Sequence, residues 1–81
     1  PVLQAMLNRI RGRAHLLRGD HTLAQECLDE SLRQARSAHA GYEEALTLRA
    51  WAELARTTGR STASRYAHRA DLILRRLGVT V

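Results

Sequence analysis

Apolar residues return at helical spacing in four successive stretches of this chain, and most of the breaks between them are marked by glycine. From Val2 to Arg18, the residues Leu3, Met6, Leu7, Ile10, Ala14 and Leu17 fall on one face of a 3.6-residue period. A second stripe of Ala24, Cys27, Leu28, Ser31, Leu32 and Ala35 predicts a helix ending near Ala40-Gly41. A third helix, from about Tyr42 to Thr58, carries Ala45, Leu48, Ala52 and Ala55, with Leu46, Ala50, Trp51 and Leu54 beside them. It is apolar around much of its circumference, which predicts that it packs on two neighbours. The fourth stripe is Ala63, Tyr66, Ala67, Ala70, Ile73, Leu74 and Leu77, closed by Gly78, with Val79 to Val81 as a short extended tail.

Gly19 and Gly59 stop the first and third helices. Asp20 stands where its carboxylate would cap the second helix, and Ser61 or Thr62 where a hydroxyl would cap the fourth. The connections are short, so consecutive helices are expected as antiparallel neighbours. The predicted fold is all-α, with four helices in two antiparallel hairpins. A compact four-helix bundle is the alternative. Arg18-Gly19-Asp20 spells a cell-adhesion tripeptide, but here the three residues read as last turn, break and cap.

Composition narrows the class. Proline occurs only at position 1, phenylalanine is absent, and Ala, Leu and Arg dominate, which favours helix. With 81 residues there is room for one small domain. A start at Pro1 is read as the start of a piece of a longer chain. All 13 basic residues are arginine, and the net charge is +5. That charge permits an anionic partner, whether nucleic acid, an acidic peptide or an acidic neighbouring domain. It fits equally well with arginines that only cover solvated helix faces.

The lone Cys27 fits a reducing compartment and, on the apolar stripe, a small core residue. No apolar run is long enough to span a bilayer. A cytoplasmic location and no membrane contact follow as expectations. His15, His21, His39 and His68 include no pair at i, i+4, so no metal site is predicted. There is no nucleophile beside a base and no glycine-rich phosphate loop. No enzyme activity, catalytic residue or cofactor is expected. The acids Glu26, Asp29 and Glu30 on the outer side of the second helix would repel phosphate, and arginines occur on all four helices. Nucleic acid is therefore not the expected partner of this domain.

A shift of 40 residues lays Ala5 on Ala45, Arg9 on Arg49, Gly19 on Gly59, Thr22 on Thr62, Leu32 on Leu72 and Arg36 on Arg76. The chain thus divides into repeat one, 2–40, and repeat two, 41–78. Gly12, Gly19, Ala24, Leu28 and Ser31 in the first, and Ala52, Gly59 and Ser64 in the second, resemble the small-residue pattern of a tetratricopeptide repeat. His68 and Asp71 depart from that pattern and put the register of the second repeat in doubt by about one residue.

The stretch "EEALTLRAWAELARTTGR", Glu43 to Arg60, is similar to the longer helical repeats of large bacterial signal-transduction regulators of the maltose-regulator type. The resemblance implies a protein–protein interaction or intramolecular scaffold module of a transcriptional regulator. Its partner would be a protein, a peptide or other domains of the parent chain, and a homodimer is possible. It also implies a concave face lined by Arg9, Arg13, Arg49, Glu53 and Arg56, edged by Met6 and Leu16. In peptide-binding members of the family, basic side chains there grip a terminal carboxylate. The asparagines that assist are missing here, since Asn8 is the only one. The polar outer side of the fourth helix, with Arg65, Arg69, Arg75 and Arg76, suits the end of an array. Trp51, if exposed, would mark a stacking or dimer face. The rival function is a small basic domain binding nucleic acid or an acidic partner.

Overall fold

A computed structural model of the chain describes residues 2–79. Of the expected 79–81 tail, only Val79 falls within them. The four helices are α1 (Val2–Leu17), α2 (His21–Ser37), α3 (Gly41–Thr57) and α4 (Ala63–Arg76). They form two hairpins, α1 with α2 and α3 with α4. Helix α3 touches all three others. Among the described residues, the backbone of α4 comes within 8 Å, Cα to Cα, of neither α1 nor α2. A bundle closed around one core would join α4 to α1. This one is an open stack, and its Cα trace measures 33 × 27 × 16 Å.

Each helix ends the same way. The residue at the turn takes a left-handed φ: Gly19 at 83°, His39 at 52°, Gly59 at 73° and Gly78 at 80°. The following N–H reaches back five residues to a carbonyl. Asp20 donates to His15 at 2.9 Å, Ala40 to Ala35 at 2.9 Å, Arg60 to Ala55 at 2.8 Å, and Val79 to Leu74 at 2.9 Å. These are Schellman closures, which satisfy the orphan carbonyls of the last turn.

Several predicted details need correction. The second break is His39, not Ala40-Gly41, and Gly41 already belongs to α3. Neither Asp20 nor Thr62 makes a side-chain cap bond. Asp20 serves both helices at once. The Schellman bond holds its backbone at φ −84°, ψ 73°, outside the extended geometry that brings a cap carboxylate over the next turn. Helix α4 ends one residue early relative to a 40-residue repeat. In that register Ala63, Ala70 and Leu74 match Ala24, Ser31 and Ala35, and all six are buried.

The stripe predicted for α1 does not enter the core. Leu3, Ile10 and Leu17 are 59%, 51% and 88% exposed, Ala14 is exposed, and only Met6 and Leu7 are half-buried. The packed side of α1 is instead small, with Ala5 and Gly12 buried. A methyl group on Gly12 would sit 2.8 Å from Leu28 Cδ2, so α1 and α2 cross too closely for any side chain there. At 100° per residue, the Ala5–Gly12 line and the Leu3–Ile10–Leu17 line lie about 200° apart, on opposite sides of the helix. Burying one exposes the other.

Two apolar clusters make up the core. Ala24, Leu28, Ala50, Trp51 and Leu54 join the hairpins, and Ala45, Leu48, Ala70 and Leu74 join α3 to α4. Leu32 and Tyr66 pack against both. Trp51 is 8% exposed and stacks on Tyr66, with ring centroids 5.7 Å apart. That burial removes the exposure on which a stacking or dimer role for Trp51 depended. Cys27 is half-buried rather than a core residue.

Between the helices sits a buried polar pair. Ser31 Oγ donates to the Ala5 carbonyl at 2.6 Å and lies 2.9 Å from Thr47 Oγ1, which is itself 2.9 Å from the Glu43 carbonyl. Two hydroxyl protons serve three contacts. With Ser31 donating to Ala5, the one proton of Thr47 is shared between the Glu43 carbonyl and Ser31 Oγ, and the contacts Thr47–Ser31–Ala5 tie α3 to α2 to α1.

Candidate interaction surfaces

The face shared by α1 and α3 gathers four of the five residues predicted for it. Arg9 and Arg13 stand one turn apart on α1, and Arg49 and Glu53 one turn apart on α3. With Leu46 and Ala50 they line an open cleft of about 210 Å³. Arg56 does not line it and is exposed in the last turn of α3. Each arginine in the cleft faces a carboxylate. Arg9 Nη2 lies 3.4 Å from Glu43 Oε2, and both side chains are largely buried. Arg13 Nε is 3.8 Å from Glu53 Oε2, and Arg49 Nη2 is 3.7 Å from Asp71 Oδ1. The sequence pattern missed Glu43 and Asp71 as partners. Their signal was present: Glu43 opens α3 directly after the turn, and Asp71 breaks the apolar stripe of α4.

These pairs change what the cleft can do. An incoming carboxylate would have to compete with Glu43 and Glu53 for guanidinium groups already engaged. The two outer pairs are about half exposed, and such pairs contribute only about 0–1 kcal/mol each. The cleft is a seam sewn by charge more than an open anion receptor. Arg36 Nε, 3.0 Å from Glu44 Oε2, sews α2 to α3 in the same manner. On the outer face of α2, Arg33 binds Glu30 through two hydrogen bonds and holds that carboxyl below its ordinary pKa.

A different surface is left open. On α1, Leu3, Leu7, Ile10, Ala14 and Leu17 follow one another at alternating steps of four and three, the spacing of a coiled-coil seam. Beside it runs a groove of about 280 Å³ lined by Ile10, Arg13, Ala14, Leu17 and Glu53. On α3, Glu43, Thr47, Ala50 and Leu54 are among the residues that meet the first hairpin: Glu43 pairs with Arg9, Thr47 bonds Ser31, and Ala50 and Leu54 cluster with Ala24 and Leu28. Moved back by 40, they become Leu3, Leu7, Ile10 and Ala14. The exposed face of α1 is thus the repeat-equivalent of the face by which α3 joins a preceding hairpin.

Comparisons with protein-family models, with curated proteins and with solved structures found no match. The surfaces therefore have to be read from their own chemistry. Among the described residues, no group of three or more His, Cys, Asp or Glu gathers to hold a metal ion. No helix among them is long and apolar enough to cross a membrane. The outer side of α4 presents Arg65, Arg69, Arg75 and Arg76, all exposed. The two ends of the stack thus differ: α1 offers an apolar seam, and α4 a mainly basic surface.

Proposed function

We propose that this chain is a non-catalytic protein–protein interaction module, a two-hairpin scaffold in a bacterial regulatory protein of the cytoplasm. It docks through the outward face of α1. One observation carries the reading: Leu3, Ile10 and Leu17 are 51% to 88% exposed in a row, and Leu3 and Ile10 stand, at a shift of 40 residues, where α3 packs against another hairpin. A contiguous apolar surface of this kind on a small soluble fold marks an interaction site. The cleft of Arg9, Arg13, Arg49 and Glu53 is secondary in this reading, because its arginines are already paired.

The test is whether the seam is dispensable for folding. Replacing Leu3, Ile10 and Leu17 together by Gln keeps helix propensity nearly constant. Residues held for docking should tolerate it, with the thermal midpoint nearly unchanged and the binding of an apolar dye reduced. If the triple variant unfolds as readily as Leu28→Ala, the seam belongs to the monomer's own core and the docking reading fails.

A further inference from the structure

The chemistry around the seam says what kind of partner it fits. Helix α1 carries Arg9, Arg11 and Arg13 and no acidic residue. With Leu3, Ile10 and Leu17 as one row of the seam and Leu7 and Ala14 as the other, the positions flanking it are Gln4, Arg11 and Arg18 on one side and Met6 and Arg13 on the other. Arg11, Arg13 and Arg18 are all exposed. From Leu3 to Leu17 the seam spans about 21 Å, the length of four helical turns.

A second copy docking α1 against α1 would set these arginines against one another, and like charges across such a seam oppose pairing. The hairpin junction inside the chain already shows the favourable combination. There, Glu43, Glu44 and Glu53 of α3 meet Arg9, Arg36 and Arg13 around a shared apolar core. In the repeat-equivalent face on α1, Leu3, Gln4 and Arg13 stand where α3 has those glutamates. The acidic half of the junction is missing from α1 and has to come from the other side.

We infer that the outward seam of α1 binds an amphipathic helix of a partner protein whose apolar stripe is flanked by acidic side chains. This rests on the docking role proposed above and adds the partner's chemistry to it. Leu17 and Ile10 enter the partner's apolar stripe, beside the groove they form with Ala14. Arg11 and Arg18 pair with Glu or Asp along its edge, while Arg13 keeps Glu53 as its partner. Steering by these charges speeds encounter, and salt weakens it.

The probe is a labelled synthetic helix of about three heptads, with Leu at the seam and Glu on both flanks. Its own flanking charges keep it from self-pairing. Its twin carries Lys in place of Glu. Fluorescence anisotropy with the 81-residue chain should show that the acidic helix binds and the basic twin does not. Adding Arg11→Glu and Arg18→Glu should weaken binding about tenfold or more. Ile10→Gln with Leu17→Gln should abolish it. Binding of the basic twin as tight as that of the acidic helix overturns the inference and leaves the docking role standing, since the seam would then be used without regard to charge. If neither helix binds, the inference falls, and the dispensability of the seam decides separately on the docking role. Light scattering that finds the chain dimeric, and monomeric after Ile10→Gln, would make a second copy the occupant and overturn the acidic partner.

Discussion

Gly12→Ala tests the packing that turns α1 outward. Built on the present backbone, the new methyl would lie 2.8 Å from Leu28 Cδ2, 2.9 Å from Leu28 Cγ and 3.4 Å from the Ala24 carbonyl oxygen. Carbon atoms in contact sit about 3.5–4.0 Å apart, so Leu28 must retreat by close to 1 Å. It has little room to do so. Leu28 is fully buried and shares a cluster with Ala24, Ala50, Trp51 and Leu54. Two terms oppose each other. Alanine gains about 1 kcal/mol over glycine in a helix interior. Forcing a methyl group into a filled core costs about 1–3 kcal/mol. The steric cost wins, with a net loss of about 1 kcal/mol, which lowers the thermal midpoint of a domain this size by about 4–8 °C.

Circular dichroism melts and urea unfolding both read that loss. The reasoning also predicts its cure. In a Leu28→Ala background the obstruction is gone, so the same Gly12→Ala change should become neutral or stabilising by up to about 1 kcal/mol. The Leu28→Ala parent is itself about 2–5 kcal/mol weaker, so the cycle is best measured with urea in the cold. A rise in midpoint for Gly12→Ala in the wild-type chain would refute the account. It would mean that α1 and α2 are not in close contact at Gly12. The opposition of the Ala5–Gly12 line to the Leu3–Ile10–Leu17 line would then no longer explain why the seam faces solvent.

Three further outcomes follow from the same geometry. Gly41→Ala should be neutral or slightly stabilising in a melt, because its methyl would meet Ile73 Cγ2 and Leu77 Cδ1 at an ordinary 3.6 Å. His39→Gly should raise stability by about 0.5–1 kcal/mol, since a side chain at φ 52° carries a strain that glycine lacks; a fall in midpoint would refute the left-handed turn. Ser31→Ala should lose about 1 kcal/mol in urea unfolding and Thr47→Val less, and the double variant should cost less than the two together, because they share one hydrogen-bond chain; strict additivity would sever it.

The helices were legible because their signals are local. Periodicity placed all four, and Gly19, Gly59 and Gly78 announced three of the four left-handed turns. The fourth falls on His39, whose residue type gives little warning. Its place midway between Gly19 and Gly59 was the available clue, since the turn recurs about every 20 residues. The α1 face was misassigned for a more general reason. A helix with large apolar residues on one side and Ala and Gly on the other offers two candidate core faces. Hydrophobicity alone favours the larger. Close helix crossing favours the smaller, and nothing within α1 itself decides between them. The cleft residues were found because a one-turn spacing puts Arg9 beside Arg13 and Arg49 beside Glu53. Their ion-pair partners come from other helices, so the position of Glu43 at the start of α3 and the break Asp71 makes in the α4 stripe mark both residues without saying which arginine each one meets.

The asymmetry of the stack limits how it can assemble. A chain whose two ends complemented each other would add to itself head to tail, into a ring if the rotation closes and a filament if it does not. Here α1 ends the stack in a seam edged by Arg11, Arg13 and Arg18, while α4 ends it in Arg65, Arg69, Arg75 and Arg76. Both ends are basic, so neither is the complement of the other. The acidic side chains lie mainly on the two middle helices. Glu43, Glu44 and Glu53 of α3 are committed to arginines within the stack, and Glu30 of α2 is held by Arg33. Self-addition is therefore disfavoured at both ends by the same charges that favour an acidic visitor at one. The apolar seam is what separates the ends: α4 offers charge with scattered leucines, whereas α1 offers charge on either side of a continuous apolar row. Of the two ends, only α1 combines what a docking helix needs.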